Sequence, residues 1–522
     1  MTYPPPPGVP DPGHPAPPFP QPPFPQPGYP QQPYAQQPYV QQPYPAQQFP
    51  PYGEQPGLRP PPRRGGAGRK LACLGVVVVL LLGAGVGGVV LLRTIGRQPR
   101  MEALKSGAEP WVKVTEGLTQ ALAAKDEEAF VKQFAAGPTK EKQRKVFRNL
   151  VKIPWEKASW ESGLVRDGRL SVKFVHQVKG VDSYPIAERY EWKVLGPDST
   201  SSGKAPTEAA IADGAEVITE VGGTTNGEGK TMDDGYYPAP WDLYDELSVQ
   251  VRDHLVAMSD KAQEAELNRD VDVMARAAAD DLAAWRKCAP APTGKTAAAA
   301  GFFVVLERSR DVYNKLYHGD GRPNDSLEAG VNMGFWADSP PESDPDLTVI
   351  GGSRIVMDTT DGRFTGKQWQ EGVTNIGRHE MAHAIVATLT SWSESSTTDT
   401  RKAWVSEGFA EYMALRGKED RARQDLAVLK QVPFDGKLPP GERSSFYSYD
   451  AARRSANYTL AADALRYMAS KYGDAKVCGF VAGQYTRPEE YEQQITAATG
   501  QPVEEFQSAW AAHVRSTVQG LR

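Results

Sequence analysis

The chain has 522 residues and a net charge of −5, from 59 Lys and Arg against 64 Asp and Glu. That length exceeds what one ordinary core organises, and the balance lacks the cationic surplus a phosphate backbone demands, so nucleic acid is excluded as an expected partner. Composition shifts along the chain, and each region reads differently.

Residues 1–62 are almost entirely Pro, Gln, Tyr, Gly and Phe, with the short repeat of "QQPYAQQPYVQQPY". Nothing there can bury a continuous apolar face, which predicts a disordered, partly polyproline-like tail. Two readings stay open: a strip that docks a cytoplasmic partner with an aromatic-lined groove, or a solvated tail. An uncharged run from Leu71 to Leu92 comes next. As a helix it would extend about 33 Å, enough to cross a bilayer. Arg59, Arg63, Arg64, Arg69 and Lys70 precede it, against Arg93, Arg97 and Arg100 after it. The expectation is a membrane-anchored, single-pass protein of the cell membrane, with a transmembrane helix at 71–92, a cytoplasmic N-terminus and extracytoplasmic C-terminal domains. An exported location would let Cys288 and Cys478 form a disulfide; two buried free thiols are the alternative.

Between 103 and 222 apolar residues first recur at helical spacing, as in "VTEGLTQALAAKDEEAFVKQFA", with Asp126 placed to cap a second helix. "GRLSVKFVHQVKG" and "ERYEWKVLG" then read as strands. Helices succeeded by antiparallel strands make an α+β cone, cystatin-like in shape, with the helices packed on a curved sheet. The opening helices with "ALAAKDEEAF" resemble the nuclear transport factor 2-like superfamily over 103–222. That resemblance implies the cone and no particular activity. His176 lies on a strand without an acid partner nearby in sequence, and reads as a surface or packed histidine rather than a catalyst.

The segment 236–522 opens on "LSVQVRDHLVAMS", read as a strand, and "AELNRDVDVMARAAADDLAAWRK", an amphipathic helix. "GFFVVLERSRDVYNKLY" begins as a strand, and "LTVIGGSRIVMDTT" suggests strands near a sheet edge. From Gln368 onward the pattern is helical. Within it stands "HEMAH", in which His379 and His383 are four apart on a helix. That spacing sets the two imidazoles about 40° apart around the axis and about 6 Å apart along it, within reach of one ion. Glu380 sits beside the first of them, able to act on a water at the metal without being a ligand.

Twenty-four positions after His383 comes Glu407, in "AWVSEGFAEYMAL". Two histidines and one carboxylate are a catalytic zinc's protein ligands, leaving a fourth position for water. Glu411, one turn on, is placed to accept a ring N–H from a ligating histidine. "HEMAH" together with "WVSEGFAEY" resembles the gluzincin metallopeptidases, and more narrowly the peptidase MA-like group, over 236–522. The resemblance implies a mostly helical domain with a small N-terminal sheet, a Zn2+ cofactor and hydrolysis of a peptide or protein substrate. It also implies an oxyanion tyrosine on a later helix. "NYTLAADALRYMASKYG" offers Tyr458 for that role, with Tyr447 and Tyr449 of "SSFYSYD" as alternatives.

Two departures qualify the likeness. "SWSESSTTDT" lengthens the stretch between His383 and Glu407, and "GVNMGFW" lacks the glutamate of the aminopeptidase Gly-x-Met-Glu-Asn sequence. Cleavage mode, endo or exo, stays open. "GGSRIVMD" has two readings: an edge strand on which an extended substrate lies, or an ordinary internal strand. The rival to a peptidase is a non-catalytic surface receptor or scaffold with a structural zinc, against which the placing of Glu380 weighs.

Overall fold

Local chemistry starts the elements. Asp126 accepts from the Ala129 amide at 3.0 Å and so caps helix α2 (Glu127–Val131), which comes after α1 (Glu109–Ala124). Pro138 opens α3 (Pro138–Leu150), where its missing N–H has no partner to lose. These helices precede four antiparallel strands in the order β1-β2-β3-β4: Trp155–Arg166, Arg169–Val178, Ile186–Val194 and Ile218–Gly222. The computed structural model describes residues 109–166, 168–195, 217–222, 239–290, 299–313, 328–338, 348–392 and 401–521.

Buried Asn149 fastens this first lobe to the start of the second sheet. Its amide nitrogen donates to the Tyr244 carbonyl at 2.9 Å, and its oxygen accepts from the Leu247 amide at 2.8 Å. The chain then makes a hairpin, β5 (Leu247–Arg252) and β6 (Leu255–Asp260), where one strand was expected. The break is the two-residue turn at Asp253 and His254, where His254 adopts a left-handed φ of 62°. Helix α4 (Glu264–Cys288) crosses over to β7 (Phe302–Glu307), which lies parallel to β6.

Strands β8 (Gly330–Trp336) and β9 (Thr348–Asp358) complete most of the second sheet. Of the two readings of 351–358, the internal strand is the one found. β9 pairs in parallel with β7 on one side and antiparallel with β8 on the other, so among the described strands the edge falls to β8. Beyond them lie helix α5 (Trp369–Ala387), the short strand β10 (Ser391–Trp392), and helices α6 (Ala403–Ala414), α7 (Ala451–Tyr472), α8 (Asp474–Thr486), α9 (Tyr491–Thr499) and α10 (Val503–Gly520).

The second sheet is covered on both faces. Phe302, Val304, Leu306, Ile355 and Met357 point into a core shared with α4 and α5. Their neighbours Phe303, Val305, Val356 and Met258 point the other way, into a core shared with Trp160, Phe174 and Trp241. All six residues of β7 are buried as a result. The segments 103–222 and 236–522 thus meet in a common apolar core.

Polar contacts fix how they meet. Arg354 of β9 donates to Asp182 at 2.8 Å, both buried. The Gly351 carbonyl accepts from the Ser183 and Tyr184 amides at 2.8 and 3.0 Å. A Cβ at Gly352 would lie 2.2 Å from an Asp182 oxygen, so only glycine admits this approach. At the far end of β8, Ala337 bridges to Ile186, and the Asp338 amide donates to the Pro185 carbonyl at 2.8 Å. Among the helices, Cys288 and Cys478 form a disulfide that closes a separation of 190 residues. The chain-entropy model credits such a crosslink with about 5 kcal/mol.

The membrane-anchored class and the single-pass location are corrected. Among the described residues no helix is long and apolar enough to cross a membrane. α4, α5, α7 and α10 have the length, but α4 carries Arg269, Asp270, Asp280 and Asp281, α5 carries Glu371, Arg378 and Glu380, α7 carries Arg453, Arg454, Asp463 and Arg466, and α10 carries Glu504, Glu505 and Arg515. The run 71–92 and the tail 1–62 lie outside the described residues.

One inward position in the first lobe breaks the apolar pattern. Glu188, on the buried face of β3, lies 3.5 Å from Nε2 of buried His176. Burial pushes the Glu188 carboxyl up to about 7, against the opposing charge of Arg354. Burial takes His176 the other way, down to about 3, helped by the same arginine. Because the folded value of Glu188 lies above its unfolded one, its contribution is full below the unfolded pKa and is lost as pH rises towards 7. Glu188→Gln should therefore gain on the parent between pH 4 and pH 8, on the order of 3 kcal/mol. Urea midpoints of both proteins at the two pH values measure this, and an unchanged difference would show that Glu188 does not titrate there.

Candidate metal centre

Helices α5 and α6 build the site. On α5 the residues Val373, Ile376, Met381, Ala382 and Ile385 are buried, which leaves His379 and His383 on the half-buried face. Arg378 anchors the same turn from beneath, donating to Asp281 of α4 at 2.7 Å with both side chains buried. On α6, Trp404, Val405, Phe409 and Ala410 are buried, and Glu407 and Glu411 share the face turned to α5. Gly408 lets α6 close on α7, since a Cβ there would lie 2.8 Å from the Ala461 carbonyl oxygen.

Three donor atoms converge. His379 Nε2 and His383 Nε2 are 3.3 Å apart, and Glu407 Oε2 lies 3.4 Å from each. A tetrahedral ion with bonds of about 2.05 Å has ligand–ligand edges of about 3.3 Å, so the triangle has the size such an ion requires. His379, His383 and Glu407 form a group that can hold a metal ion, the only such group among the described residues. His379 Nδ1 lies 3.2 Å from Glu411 Oε2. With the proton on Nδ1 and donated to that carboxylate, the Nε2 lone pair is left to face the centre.

Electrostatics separates the two central carboxylates. Burial would raise Glu407, but the charges and hydrogen bonds of His383 and His379 outweigh it and hold the group well below the usual carboxylate range. For Glu380 burial prevails over the pull of both histidines, and its pKa is raised. Glu380 is packed against the start of the edge strand: a Cβ at Gly330 would lie 2.7 Å from Glu380 Cγ and Oε1.

The tyrosines sort by position. Tyr458 on α7 is half-buried, with its ring 6.1 Å from that of His379. Burial first, and then the charge of Glu407, raises its hydroxyl well above the ordinary phenol value. Tyr447 donates its hydroxyl to Glu407 Oε1 at 2.5 Å, and Tyr449 is 94% exposed. Sequence reasoning placed Tyr447 only among the candidates for an oxyanion donor. No periodicity marks its contact with Glu407, because it succeeds a one-turn helix, Arg443–Phe446, in an irregular stretch. Gly330 was also missed, and its only signal was its place at the head of a strand.

The other described histidines stand apart from the centre. His176 is enclosed by the rings of Trp155, Phe174 and Trp241, and His254 Nδ1 lies 2.7 Å from the Ala300 carbonyl. His513 packs its ring 5.2 Å from that of Tyr467, and residue 318 lies outside the described residues.

If the three donors act together, Glu407→Ala should lose tight metal binding while its far-ultraviolet circular dichroism stays that of the parent. Metal content after dialysis against a weak chelator decides it: about one ion per chain in the parent and nearly none in the variant is the expected result. A variant that keeps its full complement would move the third ligand elsewhere.

No protein-family model and no curated protein sequence matches the chain.

Proposed function

We propose that the protein is a zinc-dependent peptidase, with Zn2+ held by His379, His383 and Glu407 and with Glu380 as general base. The observation that carries this reading is the pairing of a three-donor triangle with a buried carboxylate, Glu380, that borders the centre and is not one of the donors. Two imidazoles and one carboxylate suit zinc and disfavour calcium or magnesium, which favour all-oxygen shells. A structural zinc site is usually closed by four protein ligands; among the described residues three converge here, which favours catalysis over the scaffold reading. The likeness of "HEMAH" and "WVSEGFAEY" to the gluzincin peptidase MA-like group supports the same assignment.

Zinc in this centre supplies a Lewis acid that polarises the substrate carbonyl and lowers the pKa of water. The side chains do the rest. Glu380, with its raised pKa, accepts the proton of the attacking water and returns it to the departing amine nitrogen. Tyr458, kept protonated by burial, donates to the carbonyl oxygen as negative charge gathers there. Glu411 keeps the His379 ring in one orientation throughout. A peptide would lie extended on β8, which pairs with β9 and whose first residue, Gly330, lies against Glu380.

Mass-spectrometric mapping of cuts in a diverse peptide mixture tests the reading. The zinc-loaded parent should cleave, and Glu380→Gln should lose about 100-fold or more of that activity with its metal content intact. Full activity in Glu380→Gln would exclude the mechanism, and a zinc-loaded, folded parent that makes no cuts would favour the scaffold. Gly330→Ala should also lower kcat while keeping its zinc, because the new methyl group must displace the Glu380 carboxylate. Parental rates in that variant would show that Glu380 does not need its present position.

A further inference from the structure

The two oxygens of Glu407 face different partners. Oε2 lies 3.4 Å from each histidine Nε2, at the centre, whereas Oε1 accepts the Tyr447 hydroxyl at 2.5 Å. We propose that Tyr447 is a positioning residue that restricts Glu407 to one-oxygen ligation, so that the carboxylate completes the triangle without occupying the position substrate needs. The proposal rests on the metal-centre reading above.

The phenol is held from several sides. It comes directly after the turn Arg443–Phe446, and Asn457 of α7 donates to the Phe446 carbonyl at 2.8 Å. Arg454 donates to the Ser448 carbonyl at 2.7 Å, so the backbone on both sides of Tyr447 is fastened to α7. The fully buried Phe446 ring stands edge-on to Tyr447 at 5.4 Å, and the Arg443 guanidinium lies over its face at the same distance. These contacts involve no metal ligand, so the hydroxyl is aimed at Glu407 before any ion arrives.

A carboxylate can bind an ion through one oxygen or through both. Through both, it would take up part of the coordination sphere that substrate and water need. A strong donor on Oε1 engages one of that oxygen's two lone pairs and draws its charge away from the centre, which favours Oε2 as the ligand. In Glu407 the choice is therefore made by a side chain 40 residues further along the chain.

Cobalt(II) in place of zinc gives a readout independent of cleavage. In the full chain, Tyr447→Phe should keep its melting temperature near the parent's and about one cobalt per chain. Its visible spectrum should shift as the coordination changes, and its cobalt affinity against a competing chelator should fall about 10- to 100-fold. Tyr449→Phe, on the same stretch but exposed, should match the parent in both respects. With zinc, kcat of Tyr447→Phe should fall more than KM changes. A parental spectrum and parental affinity in folded Tyr447→Phe would overturn the proposal. A parent that cuts no peptide would remove the peptidase reading, while the cobalt spectra would still decide the role of Tyr447.

Discussion

Strand β7 has no face that tolerates water. Each of Phe302 to Glu307 is buried, and side chains alternate along a strand, so both sides of the sheet around it have to be covered. Helices α4 and α5 cover one side and the first lobe covers the other. That one requirement sets the height of the His379 helix above the sheet and holds the first lobe against the sheet's opposite face. Arg354 and Asp182, with Gly351 and Gly352 between the lobes, then fix the angle at which the lobe sits.

The centre concentrates polar groups where the surroundings would not favour them. Glu380 and Glu407 are buried, and Glu411 and two imidazoles lie alongside. Carboxylates so close repel one another in a medium of low dielectric, and each needs a specific partner. Glu407 has the histidines and Tyr447, and Glu411 has His379. A divalent ion among these donors would offset much of the remaining repulsion, so folding and metal binding are expected to reinforce each other. Arg378 and Asp281 beneath α5 bind the same helix to α4 independently of the centre.

Contacts encoded by local spacing could be read from the sequence. His379, Glu380 and His383, then Glu407 and Glu411, are chemically distinctive residues about one helical turn apart, and their faces are set by 3.6 residues per turn. The helices and strands of 103–222 likewise carried their own periodicity, and the Asp126 cap its own signature. Contacts between distant segments were not legible. An unbroken apolar run says that β7 is buried, but not that the first lobe is what buries its second face. The β5–β6 turn was hidden because Asp253 and His254 interrupt the pattern for only two residues. Whether 351–358 lay at an edge or inside the sheet stayed open, since only pairing decides it, and the stretch that became β8 was not read as a strand. Tyr447 reaches Glu407 from an irregular stretch that no period describes. The membrane expectation rested on residues 71–92, and the described helices offer it no support.

The bridge between Ala337 and Ile186 bears on what the edge of the second sheet can accept. Along a strand, successive amides point to opposite sides. The Ala337 amide donates inward to the Val349 carbonyl, and the Asp338 amide donates outward to the Pro185 carbonyl. The chain has therefore already placed a piece of itself where an incoming strand would continue. β8 runs from Gly330 to Trp336, about 20 Å of strand, with Glu380 at one end and the first lobe at the other. The lobe acts as a ruler: it gives the edge a fixed length, measured from Glu380.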